Sequence, residues 1–189
     1  TRVLASKHLR TVKPEADPEP ALKMRHFHLG ELPANGSAVL DRTPVLFNAD
    51  VTVSLARPER TDEFFYRNGQ ADEIVYVSDG SGVLESEFGE LRYEQGDYVV
   101  VPRGILHRFR LDYGASRFLI IETPSRIRFP SRYLTPEGQL MEHAPFCERD
   151  VRPPGELVTK DEDGEFRLVI KQNDALSEVT LAHHPFDVV

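Results

Sequence analysis

Two stretches of this 189-residue chain have residue types and spacing that chemistry could use. In the first, Glu73 is followed by six residues and then Gly80. In the second, Gly96 is followed by five residues and Pro102, then by Gly104 and His107. One carboxylate and one imidazole could share a metal ion or act as an acid–base pair. The glycines permit positive φ in tight turns between strands. Pro102 ends a strand where no ladder donor is needed. A firm transition-metal site wants three or four ligands of suitable type, and Glu73 with His107 supplies only two. The pair is therefore read as hydrogen-bonded polar groups inside the fold, not as a working metal centre.

Other groups with chemical potential have plainer readings. His26 and His28 flank Phe27, so on a strand both imidazoles would point to one side. No carboxylate follows at a matching distance, and they read as surface or packing residues. His183 and His184 are adjacent, face opposite ways on a strand, and read as structural. Cys147 has His143 four residues before it, but a thiolate nucleophile also needs an oxyanion site, and none is recognisable. Arg67, Arg103, Arg108 and Arg110 gather near the second stretch and could bind an anionic aromatic acid at a barrel mouth. Arg108 and Arg110 share one face, however, and a solvated outer surface is the preferred reading. Asp161-Glu162-Asp163-Gly164 lacks the ligand series of a calcium loop and reads as a hairpin turn.

Short strands must position these residues. Val51, Val53 and Leu55 alternate with polar residues, which is period two. Further strands are expected at Glu63–Arg67, Glu73–Ser78, Val83–Phe88, Leu91–Tyr93, Tyr98–Val101, Ile105–Leu111 and Arg117–Glu122. Eight strands in roughly eighty residues imply an antiparallel barrel or jelly roll, with no room for crossover helices. Residues 1–22 are polar and punctuated by proline, and are expected to be an extended, poorly packed arm. The barrel is placed at 23–123. Residues 124–189 are expected to form an irregular wrap with a short helix around Glu137–His143. A hairpin over 156–171, turning at Asp161–Gly164, and a last strand at Val179–His183 complete it.

Composition excludes several roles. Lys and Arg number 23 against 31 Asp and Glu, a net charge of −8, which argues against nucleic acid as a partner. No apolar run approaches the ~20 residues needed to span a bilayer, and no leader pattern is visible. The single cysteine suits a reducing compartment, so a cytoplasmic location is expected. The chain begins at Thr1 and stops in the apolar stretch Pro185–Val189, which reads as a piece of a longer protein.

The two halves, Glu73-x6-Gly80 and Gly96-x5-Pro102-x-Gly104-x2-His107, resemble the two motifs of the cupin family. That implies an all-β, cupin-type antiparallel barrel or jelly roll with added N- and C-terminal strands and few short helices. Metal-binding cupins also carry His-x-His shortly before the glutamate. Here that place holds Tyr66-Arg67-Asn68, so Tyr66, Asn68, Glu73 and His107 are the remnants of a metal site and no metal is expected in this barrel.

The segments Phe65–Asn68, Asp72-Glu73, Glu87–Gly89, Gly96–Gly104, Glu142–Asp150 and His184–Val189 further resemble the N-terminal barrel of the homogentisate 1,2-dioxygenase family. The resemblance runs from about His26 to Val189. It implies a two-barrel Fe(II) enzyme that opens the ring of homogentisate with O₂ to give maleylacetoacetate. Its iron sits on two histidines and a glutamate in a second, C-terminal barrel, to which nothing here corresponds. No catalytic or cofactor-binding residue is therefore assigned to this chain. The expected partners are the C-terminal barrel and further copies in a homo-oligomer. The alternative is a stand-alone, non-enzymatic cupin that binds a small organic acid.

Overall fold

The computed structural model describes residues 2–19, 24, 26, 28–31, 34, 36–157 and 159–186. Among them run twelve strands: β1 (Val3–Thr11), β2 (Thr43–Phe47), β3 (Thr52–Ala56), β4 (Phe65–Asn68), β5 (Asp72–Asp79), β6 (Gly82–Ser86), β7 (Gly89–Tyr93), β8 (Tyr98–Val101), β9 (Leu106–Leu111), β10 (Arg117–Thr123), β11 (Asp163–Gln172) and β12 (Ala175–His183). A seven-stranded sheet has the order β1-β12-β11-β4-β9-β6-β7. A five-stranded sheet has the order β2-β3-β10-β5-β8. Neighbours are antiparallel except β11 and β4, which run parallel.

Alternation builds the barrel core. Glu73, Val75 and Val77 lie on the buried face of β5; Phe118, Ile120 and Glu122 lie on that of β10. Val99 and Val101 of β8 join them, and Leu84, Tyr93 and Phe109 close the other side. Side chains two apart on a strand share a face, so one apolar row on each strand fills the interior. Its last inward position on β5 and on β10 is a carboxylate. The register sets Glu73 directly opposite Glu122. Like charges placed so are destabilising, and a buried cation is required.

Expected strands from β3 to β10 fall within one or two residues of those observed. Three expectations are corrected. The N-terminal arm is extended but not loose: Val3–Thr11 forms a nine-residue strand that pairs with β12, with two register irregularities. No helix forms over Glu137–His143. Gly138 and Gln139 turn beside Thr135 instead, and Leu134 bridges Leu140. The C-terminal hairpin does not turn at Asp161–Gly164. It turns at Asn173-Asp174, both at positive φ (51° and 54°), a two-residue turn whose twist suits antiparallel strands and which Asn and Asp tolerate. Asp163 already belongs to β11. Residues 20–22 of the expected arm and the chain end Asp187–Val189 lie outside the described residues.

Gly80 tests the turn chemistry. Its φ is +94°, and a Cβ there would meet Ser116 Oγ at 2.3 Å and Ser116 Cα at 3.0 Å. Gly80→Ala is expected to lose about 2–4 kcal/mol, from backbone strain and overpacking together. Gly96 also has positive φ, at +96°, but nothing lies within 4 Å of its would-be Cβ. Gly96→Ala should lose only about 1–2 kcal/mol. Urea unfolding of the two variants isolates the Ser116 contact; equal losses would refute it.

Candidate functional site

The four motif residues come together at one end of the barrel. Tyr66 and His107 are register partners on β4 and β9. Tyr66 and Asn68 share a face of β4, and both reach Glu73 on β5. The Tyr66 hydroxyl donates to Glu73 Oε1 at 3.1 Å, and Asn68 Nδ2 donates to the same oxygen at 2.8 Å. Asn68 Oδ1 in turn accepts the backbone N–H groups of Gln70 and Ala71, which fixes its amide.

The main partner of Glu73 is one that the sequence reading missed. Arg42 grips the carboxylate with both terminal nitrogens, Nη1 to Oε1 at 2.8 Å and Nη2 to Oε2 at 3.0 Å. Arg42 Nη1 also donates to Glu122 Oε1 at 2.7 Å. Lys171 pairs with the other oxygen of Glu122. Two carboxylates and two cations thus balance. Arg42 is delivered by a tight turn: Ser37 Oγ accepts the N–H groups of Val39 and Leu40, Asp41 accepts that of Ser37, and Arg42 Nε donates to Ala38 O at 2.9 Å. The only advance signal was Glu122 itself, an inward carboxylate that demands a cation.

The expected Glu73–His107 hydrogen bond is corrected by this arrangement. Glu73 is taken up by Arg42, Tyr66 and Asn68. His107 Nδ1 lies 3.0 Å from the carbonyl of Ile105. A carbonyl only accepts, so Nδ1 carries the proton. Nε2 is left as a bare lone pair, buried and without a hydrogen-bond partner.

Protonation states here are held well away from neutrality. Burial pushes the Glu73 carboxyl up, but the charge and hydrogen bonds of Arg42 outweigh it and bring the group to about 2. Burial would lower the Arg42 guanidinium, yet Glu73 and Glu122 hold it above its ordinary value. Burial and the charge of Glu73 raise the Tyr66 phenol. Burial pushes His107 down, against Glu73. The cluster therefore has an ionised carboxylate, a protonated phenol and a neutral imidazole, and no proton poised to move near pH 7. An acid–base role for Glu73 and His107 does not fit it.

Acid unfolding is expected in two phases. The unfolded histidine titrates near 6.5, above folded His107. Stability is full above that value and falls as pH drops through it towards the folded pKa. His184, also lowered by burial, adds to this phase. Unfolded Glu titrates near 4.3; the stability from Glu73 is full above that value and is lost as pH falls towards about 2. His107→Gln should shrink the first phase and Glu73→Gln the second, in urea midpoints recorded from about pH 8 downwards. A midpoint profile unchanged by either substitution would refute the assignment.

The residues do not fit a transition-metal ion as they stand. Both oxygens of Glu73 face a guanidinium, and Tyr66 and Asn68 present neutral donors of hydrogen bonds. Among the described residues, no three His, Cys, Asp or Glu side chains gather as an ion cage. A cavity of about 580 Å³ opens beside the cluster, walled by Arg10, Val39, Phe47, Tyr66, Lys171 and Leu176.

The other candidates stay apart. His26 and His28 are exposed, with rings 4.4 Å apart. His183 Nδ1 pairs with Asp163 at 2.6 Å, while His184 is buried among Phe65, Phe166 and Phe186. Cys147 is half-buried beside a single 3-10 turn and His143 is exposed. Arg103 is exposed and Arg67 half-buried. Arg108 and Arg110 lie on the outer face but are not merely solvated: both bind Glu85, at 2.6 Å each. No helix among the described residues is long and apolar enough to cross a membrane.

A two-sheet all-β barrel with an inward polar cluster at one end defines a cupin-type fold. The family described as homogentisate 1,2-dioxygenase N-terminal matches residues 47–189, and the chain belongs to that family. A Saccharolobus solfataricus protein named as a dioxygenase is 37% identical over 168 residues, covering 87% of this chain and 43% of that protein. Homogentisate 1,2-dioxygenase of Bradyrhizobium diazoefficiens is 29% identical over 138 residues, covering 72% of this chain and 29% of that protein. The chain thus spans less than half the length of either relative. A cupin-2 domain protein from Shewanella frigidimarina is similar in structure, with a TM-score of 0.40 and 18% identity over 44% of this chain and 80% of that one. The family match and the two sequence relatives mark the chain as a dioxygenase-like cupin.

Proposed function

We propose that this chain is the metal-free cupin half of an Fe(II)-dependent dioxygenase that opens the ring of homogentisate with O₂ to give maleylacetoacetate. Its role is that of a scaffold. It packs against a second, iron-bearing barrel of the same protein and takes part in a cytoplasmic homo-oligomer. Iron supplies the O₂ chemistry in that second barrel; no residue of this chain is assigned to it. The observation that carries the reading is Arg42 bound to both oxygens of Glu73, where a working cupin needs free carboxylate lone pairs. The family match and the greater length of the relatives support it.

The test compares this 189-residue chain with the full product of its gene. Both are purified without chelator and supplied anaerobically with Fe(II). Iron and homogentisate-dependent O₂ uptake are expected in the longer protein and absent from the chain alone. Stoichiometric iron held by the chain and lost on His107→Ala would overturn the reading. So would a full-length product without ring-opening activity.

The cavity beside Arg42 and Lys171 favours one second reading, a binder of small organic acids without catalysis. It predicts that small carboxylates raise the thermal midpoint of the isolated chain by mass action, without metal. No shift across a panel of aromatic and aliphatic acids would remove it.

A further inference from the structure

We infer that the outer face of the five-stranded sheet is where two copies of this chain meet, sheet against sheet, about a two-fold axis along the central strand β10. This rests on the homo-oligomer proposed above and assigns the face that builds it. The strand register carries the inference. Side chains two apart on a strand share a face, and the outward positions of all five strands line up. One row runs Leu46, Val53, Ile121, Ile74, Val100. The next runs Thr43, Leu55, Leu119, Tyr76, Tyr98. No charged side chain interrupts either row. An antiparallel sheet with one wet face alternates apolar with polar residues. This sheet is apolar on its inner and outer faces alike, which is the pattern of a sheet covered on both sides.

The chain leaves that outer face open. Tyr98 is 67% exposed and Leu46 60%. Val53, Ile74, Tyr76, Leu119 and Ile121 are half-buried, and none of them joins a packed core cluster of the described residues. The seven-stranded sheet differs. Its outward Phe65, Leu106, Leu168 and Leu181 pack together with Phe186 of the same chain.

A second copy is the occupant that the face fits. Strands about 4.8 Å apart and two rows about 7 Å deep give a flat footprint of roughly 300–400 Å². A stable interface takes about 800 Å² from each partner. The rows are thus its apolar core, and a polar rim begins beyond them, where Arg117 faces Asp79. The chain has a net charge of −8, so most of its surface repels another copy, whereas these rows set no like charges together. The second row also tapers, from Tyr98 and Tyr76 on one side of β10 to Leu55 and Thr43 on the other. β10 is the middle strand of the sheet, and a two-fold axis along it exchanges the two sides. Tyr98 of one copy then meets Thr43 of the other, Tyr76 meets Leu55, and Leu46 meets Val100. Large residues fall on small ones, as close packing needs. Such a contact is closed and stops at two copies.

Sedimentation equilibrium of the chain across micromolar concentrations is the first test, and wild type is expected to be a dimer. Leu119→Lys puts a charge beside the axis in both copies and should weaken the dimer at least about tenfold. Should that variant not fold, Tyr98→Lys on the exposed edge decides, with the same expected direction. Tyr113→Lys is the control. Tyr113 is 94% exposed in the turn after β9, off the face, and its replacement should change nothing. The axis is tested in a Cys147→Ser background with a short bis-maleimide. Copies with Leu46→Cys should cross-link to copies with Val100→Cys, and neither variant should cross-link to itself. In the full product of the gene, Leu119→Lys should also reduce the assembly. A monomeric wild type, a dimer indifferent to both lysine substitutions, or cross-linking of either cysteine variant to itself would overturn the inference. So would a full product whose assembly ignores Leu119→Lys, since the face would then belong to another part of the same protein. A full product without ring-opening activity would sink the proposed function and leave these results untouched.

Discussion

Arg42→Met is expected to destabilise the chain by about 3–5 kcal/mol, the cost of leaving a buried charge without its partner. Glu73 is fully buried, and Arg42 supplies two of its hydrogen bonds and its nearest positive charge. Tyr66 and Asn68 stay in place but are neutral, so they cannot replace that charge. Glu122 keeps Lys171 and suffers less. Adding Glu73→Gln to Arg42→Met should therefore restore much of the loss, because the orphaned charge is removed with its partner. Urea unfolding of the two single variants and the double closes the cycle. Strictly additive losses would show that Arg42 and Glu73 do not act as a pair. A loss below about 1 kcal/mol for Arg42→Met would place the pair among exposed bridges, contrary to its burial.

Phe118→Ala is expected to lose about 3–5 kcal/mol through lost burial and the cavity left behind. Phe118 is 1% exposed and packs on Phe109 and Tyr93, with ring centroids 5.3 and 5.9 Å away. Phe109 in turn packs edge-on against His107 at 5.7 Å. This stack is the apolar floor beneath the polar cluster. Leu119 is the next residue on β10 but faces the other way and is half-buried. Leu119→Ala should lose less than about 2 kcal/mol. Equal losses at the two positions would mean that the inward and outward faces of β10 are wrongly assigned. Guanidinium or urea midpoints at constant slope measure both.

Much of the barrel was legible because its signals are local. The apolar runs within Glu73–Ser78 and Tyr98–Val101, each bounded by turn residues, mark strands through residue type alone. Gly80 and Pro102 mark strand ends through their own backbone geometry. The wrap and the C-terminal hairpin were less legible. Asp161–Gly164 has the composition of a turn, yet Asn173-Asp174 is the turn, because the pairing of β11 with β12 and β4 decides where the chain reverses. The N-terminal arm looked unpacked because its side chains are mostly exposed. What holds it is backbone pairing to β12, and composition does not report a backbone hydrogen bond.

The site divides in the same way. The sequence alone determined that Tyr66, Asn68, Glu73 and His107 occupy the cupin motif positions and that the His-x-His pair is missing. It also determined the family, through motifs that depend on residue type and spacing. Only the tertiary structure decided which cation answers the two buried carboxylates. Arg42 lies 31 residues from Glu73 and 80 from Glu122, in a turn with no periodic signal. A buried charge requires a partner of opposite sign within a few ångströms, but that requirement fixes a distance in space and says nothing of position along the chain.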